Sequence, residues 1–119
     1  MDMSMLKQSI TALADNELQR GKARYGNNHF RHEGYAVLRE EYDEFEEEVD
    51  NFLISLANLW TQIKQDVKPT EVLGTLEKMR DRALNASAEL VQVIAMVNKM
   101  GEYENYLMAV EEQKEKERK

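Results

Sequence analysis

Between residues 38 and 63 the apolar side chains fall at alternating intervals of four and three: Leu38, Tyr42, Phe45, Val49, Phe52, Leu56, Leu59, Ile63. That repeat is the signature of a helix packed lengthwise on others. It leaves little room for strands. A second seam follows Pro69, the only proline: Leu76, Met79, Ala83, Ala86, Leu90, Val93, Val97, Met100. Two long seamed helices joined near one proline predict an all-α fold, an antiparallel helical bundle with two long central helices.

The rest of the chain is read around these two helices. A first helix is expected from about residue 4 to 24, with Leu6, Ile10, Leu13 and Leu18 roughly on one face and Gly21 weakening its end. "RYGNNHF" follows, and its Gly26, Asn27 and Asn28 are turn formers. The second helix runs from near His32 to about Asp66. The third is expected from about Thr70, an N-cap candidate before Glu71, to Met100. Gly101 then separates a short fourth helix, 102 to about 111. The last nine residues, "EEQKEKERK", carry no apolar side chain and read as a solvated, fraying helix end. The expected organisation is one domain, 1–110, with a charged tail, 111–119. A helix of roughly 30 residues spans about 45 Å, more than a globule of 119 residues needs. The excess length predicts self-association, with a homodimer as the minimal unit.

Composition narrows the function. The net charge is −7 and no basic patch is visible, so direct nucleic-acid binding is not expected. There is no cysteine, which excludes disulfides and thiolate metal sites. No apolar run approaches the roughly 20 residues of a membrane span, and residues 1–6 lack the pattern of a signal peptide. The expected location is the cytoplasm.

The acidic residues carry the chemistry. Glu41 directly precedes Tyr42 of the seam and Glu44 directly precedes Phe45. They are three apart and share a helix face, and Glu48 extends the row. On the next helix Glu89 precedes Leu90 and Gln92 precedes Val93. If the seams face each other, these oxygen donors flank the contact. Carboxylates this close raise one another's pKa, and a divalent cation offsets the repulsion. Hard oxygen donors suit Mg²⁺ or Mn²⁺. Glu40, Asp43, Glu46, Glu47 and Asp50 read as solvated face, and an acidic pair at this spacing also occurs on plain helix surfaces. Ala83, Ala86, Ser87 and Ala88 leave room beside Glu89 for a pocket or for close helix packing.

The blocks "HEGYAVLREEYDEF" (32–45) and "AELVQVIAMVNK" (88–99) resemble the MazG-like all-α nucleotide pyrophosphohydrolases, above all their short phage and prophage members. "ARYGNNHFRHEGYAVL", "LANLWTQIKQ" and "RALNASAELVQVIAM" look like the same branch, so the likeness covers roughly residues 17–100. The family pattern is an ExxE on one helix and an ExxD on the next, binding Mg²⁺. Glu41 and Glu44 match the first pair and Glu89 the first position of the second. Gln92 stands where the final Asp would be. A neutral amide there means fewer metals, weaker binding, or a contact to substrate instead.

The resemblance implies hydrolysis of a nucleoside triphosphate, (d)NTP, between the α and β phosphates, giving the monophosphate and pyrophosphate. It also implies a homodimer or a dimer of dimers. Glu40 or Glu48 could take the proton of the attacking water. Lys22, Arg24, His29 and His32 are candidates to meet substrate phosphates, and Asn85, one turn before Glu89, could hydrogen-bond a base or phosphate. Tyr25, Phe30 and Tyr35 are candidates to stack a base, and Trp60 reads as core or oligomer interface. The alternative is a helical adaptor that keeps the fold and has lost catalysis.

Overall fold

The computed structural model describes residues 2–118 and consists of three helices: α1 (Met3–Tyr25), α2 (Arg31–Gln65) and α3 (Pro69–Arg118). Among the described residues there is no strand, so the chain is all-α. None of its helices is long and apolar enough to cross a membrane.

Several helix ends have a local cause. Asp2 caps α1, its carboxylate accepting from the Ser4 amide at 2.9 Å. Gly26, at φ +78, closes it with an N–H bond to the Lys22 carbonyl. Asp66 ends α2 in the left-handed region at φ 50. The Val67 amide reaches the Gln62 carbonyl and the Asp66 amide the Ile63 carbonyl, the paired closure of a Schellman motif.

Two boundary expectations need correction. Thr70 does not cap α3. Pro69 is its first helical residue, where a fixed φ and a missing N–H cost nothing. Glu71 reaches back to accept from the Lys68 amide at 3.3 Å, so the cap position is Lys68. Nor does Gly101 interrupt the chain: α3 runs through it to Arg118, and there is no separate fourth helix. Contacts beyond the glycine explain this. Lys22 pairs with Glu102 at 2.8 Å, Arg31 holds Glu104 in a two-pronged contact at 2.8 and 2.6 Å, and the Tyr103 hydroxyl donates to the His29 carbonyl. They hold the segment beyond the glycine against α1 and the start of α2, where a mid-helix glycine alone would weaken the helix. Residues 111–118 are helical and exposed, the solvated end that their composition suggests.

The chain packs as two compact units, Met1–Glu41 with Val91–Lys119, and Tyr42–Leu90. In the first unit Ala14, Leu18 and Ala95 are buried. Gly34 on α2 lies so near α3 that a β-carbon there would stand 3.0 Å from the Met100 side chain and 2.7 Å from Asn28. Asn28, in the loop after α1, is itself buried.

The second unit is a helical hairpin. Gln62 lies beside Glu71, Asn58 beside Thr75, and Glu48 beside Arg82, so numbers rise on one helix as they fall on the other. Its core is thin, because only part of each seam packs inward. Phe45, Phe52 and Leu59 of α2 and Met79 and Ala86 of α3 are at least half-buried. Tyr42 (41% exposed), Leu56 (43%) and Ile63 (55%), with Leu76 and Leu90 on α3, stay exposed. On both helices the exposed members are offset from the packed stripe in the same rotational sense. In an antiparallel pair that puts both rows on one side of the hairpin. Trp60, 59% exposed, is not core.

Candidate metal and phosphate site

The unbroken α2 sets Glu41, Glu44 and Glu48 on one face, at spacings of three and four. On α3 the same logic sets Glu89 and Gln92 one turn apart. Across the hairpin Glu44 and Glu89 meet closely enough to hydrogen-bond, and Glu41 stands one turn before Glu44 on the same face of α2. These are the three metal-ligand candidates read from the sequence.

Glu89 reports the strain of that gathering. Its pKa is raised, first by burial, then by the Glu44 charge, then by a hydrogen bond with Glu44, with the Glu48 charge adding to the effect. A hydrogen bond between two carboxyl groups needs a proton on one of them. A hard divalent cation would relieve the repulsion between ionised carboxylates, and an all-oxygen donor set fits Mg²⁺ or Mn²⁺.

Glu48 points to the same edge of the hairpin, 3.5 Å from an Arg82 nitrogen and about one-fifth exposed. Arg82 lines a polar groove with Asn51, Ser55, Lys78, Asp81 and Asn85. Asn85 thus sits in this groove one turn before Glu89. Glu40 is exposed on α2.

In the first unit, Glu41 and Gln92 line a cavity of about 480 Å³ together with Glu17, Arg20, Arg24 and Lys99. Of the candidates for phosphate contact, Arg24 faces this cavity, with its guanidinium 5.2 Å from the Tyr25 ring centre. Lys22 and His29 line a different cavity, and His32 is exposed at the start of α2 and lines neither. Phe30 and Tyr35 are also exposed and line neither. Gln92 is not idle: its side-chain amide donates to a Glu17 carboxylate oxygen at 2.7 Å.

Sequence reasoning missed Glu17, Lys99 and Arg82. For Glu17 the signal was available. It directly precedes Leu18, which is buried, the same offset that marks Glu41, Glu44 and Glu89. Comparison with known protein families, curated proteins and solved structures finds no match to this chain.

Proposed function

We propose that this chain is a Mg²⁺-dependent nucleoside triphosphate pyrophosphohydrolase, with Mn²⁺ as a competent substitute. The observation that carries the reading is the meeting of Glu44 and Glu89 across the hairpin, with Glu41 one turn before Glu44 on α2 and Glu89 shifted toward protonation by burial and by the Glu44 and Glu48 charges. The resemblance of residues 32–45 and 88–99 to the MazG-like enzymes supplies the reaction class. Glu41, Glu44 and Glu89 would hold the ion, which when bound neutralises phosphate oxygens and acidifies water. Water attacks the α-phosphorus, the bond to the β-phosphate oxygen breaks, and pyrophosphate leaves. Glu48 accepts the proton of the attacking water, and Arg82 orients its carboxylate. Glu40 is the alternative base. Arg24 and Lys99, in the cavity with Glu41 and Gln92, face the phosphates. Asn85 and Lys22 complete the polar surroundings, with His32 at the helix start.

The working unit in this reading is a homodimer or a dimer of dimers in the cytoplasm. The exposed apolar side of the 42–90 hairpin supports association with a second copy, because large apolar patches left in water mark contact surfaces.

The test is pyrophosphate release from a panel of NTPs and dNTPs with Mg²⁺, for the native chain and Glu41→Gln. Turnover by the native chain and its collapse in a folded Glu41→Gln support the enzyme. Equal turnover in both removes Glu41 from the metal site. A second reading, a catalytically silent helical adaptor, is favoured by one observation: Gln92 is neutral and its amide is engaged by Glu17. No pyrophosphate at high protein concentration, together with no thermal shift on adding Mn²⁺, selects the adaptor.

A further inference from the structure

Because α3 continues through Gly101, it brings Lys99, Glu102, Tyr103 and Tyr106 against the loop after α1. The result is a cavity of about 570 Å³, also lined by Lys22, Asn27, Asn28 and His29. Its size is that of a small-molecule site. The loop forming one wall is held firmly: Asn28 is buried over Gly34, and the Tyr103 hydroxyl donates to the His29 carbonyl at 3.0 Å.

The lining has two chemical characters. Tyr103 and Tyr106 form an aromatic pair with ring centres 6.2 Å apart. Tyr106 is 61% exposed, so its ring is open to a ligand. Lys22 and Lys99 supply positive charge, but not equally. Glu102 already neutralises Lys22 at 2.8 Å. Among the described residues no hydrogen bond or ion pair engages Lys99, although it is half-buried. Lys99 and Asn28 also line the neighbouring cavity that holds Glu41 and Gln92. The two cavities therefore share a wall, with an uncommitted cation in it.

We infer that this cavity receives the nucleoside end of a nucleotide, with its base against Tyr103 and Tyr106 and its phosphate on Lys99, directed toward Glu41 and Gln92. The inference rests on the nucleotide reading above and adds the orientation of the ligand. An aromatic surface accepts any base face, whereas a phosphate needs a cation. Lys99 lies seven residues beyond Gln92, about 10 Å along the helix axis. That separation suits a ligand whose base and reacting phosphorus occupy different cavities.

The experiment measures equilibrium binding of dAMP, dTMP, ribose 5-phosphate and pyrophosphate to the full chain in EDTA. The native chain is compared with Tyr106→Ala and Lys99→Met. The expected result is that both deoxynucleotides bind, and that Tyr106→Ala weakens them about tenfold, the size of one lost base–aromatic contact. Ribose 5-phosphate, which has no base, is unaffected by Tyr106→Ala and weakened by Lys99→Met. Equal deoxynucleotide affinity in the native chain and a folded Tyr106→Ala, or no binding at millimolar ligand, overturns the inference. The metal-free assay separates this outcome from the proposed activity. A chain that binds dAMP through Tyr106 yet releases no pyrophosphate from triphosphates keeps the nucleoside site and loses the hydrolase.

Discussion

The side-chain amide of Gln92 donates to the carboxylate of Glu17 at 2.7 Å, between helices 75 residues apart in sequence. An aspartate at position 92 would set two negative charges against each other there. Glutamine is therefore the residue that α1 calls for, independent of its effect on metal binding. Gln92→Asp is expected to lose about 1–3 kcal/mol in urea denaturation with EDTA present, the cost of a charge-assisted bond replaced by repulsion. The double variant Glu17→Gln, Gln92→Asp reverses donor and acceptor and should recover most of the loss. A double variant no more stable than Gln92→Asp alone would deny the pair its role.

Glu89 gives the protein a pH dependence of known sign. Its folded pKa is raised, so the native chain binds this proton more tightly than the unfolded chain does. The associated stability is complete below the ordinary carboxylate value of about 4.3. It is lost as pH rises through the raised folded value. Glu89→Gln is expected to be more stable than the native chain at neutral pH in EDTA, with the advantage shrinking as pH falls toward that ordinary value. Mn²⁺ competes with the same proton, so the thermal shift it produces in the native chain should grow with pH over that window. Urea midpoints across the range provide the check. A gap between the two chains that does not vary with pH would contradict the assignment.

The long helices and the acidic positions beside their seams are legible in the sequence itself. The four–three spacing marks α2 as one long helix, and the turn formers at 26–28 and Pro69 put its ends within a residue of Arg31 and Gln65; Glu44 and Glu89, each one position before a seam residue, are the pair that meets across the hairpin. Both are short-range properties that a helix transmits directly. Local propensity favours a break at Gly101, which α3 does not make. The contacts that overrule it, Lys22 with Glu102 and Arg31 with Glu104, join residues 80 and 73 positions apart. Nothing in a local pattern reveals such pairings. The seams were legible as apolar, but not which half of each would pack. That depends on how many helices surround them, and the hairpin has only two.

Two of the helical glycines, Gly34 and Gly101, should respond in opposite ways. At Gly101 an added β-carbon meets nothing within 4 Å. Gly101→Ala is expected to stabilise by about 0.5–1 kcal/mol through helix propensity alone. At Gly34 the β-carbon would press on Asn28 and Met100, and Gly34→Ala is expected to destabilise by about 1–3 kcal/mol, the usual cost of overpacking. Thermal melts of both variants test the continuous α3 and the tight α2–α3 approach separately. A destabilised Gly101→Ala would mean that the helix does bend there.

The exposed row on the hairpin predicts how the chain associates. Tyr42, Leu56, Trp60 and Ile63 on α2 share their side of the hairpin with Leu76 and Leu90 on α3, whereas Glu44, Glu48, Arg82 and Glu89 occupy the other edge. If a second copy covers the apolar side, light scattering should give at least twice the chain mass of 13.9 kDa. Leu56→Lys with Trp60→Ser should then shift the chain to the single mass, because a buried lysine without a partner is costly at such a contact. The Mn²⁺ thermal shift should survive in that variant, since no ligand is touched. A native chain of single mass at micromolar concentration would leave the apolar side without its second copy, and the length of α2 and α3 would need another explanation.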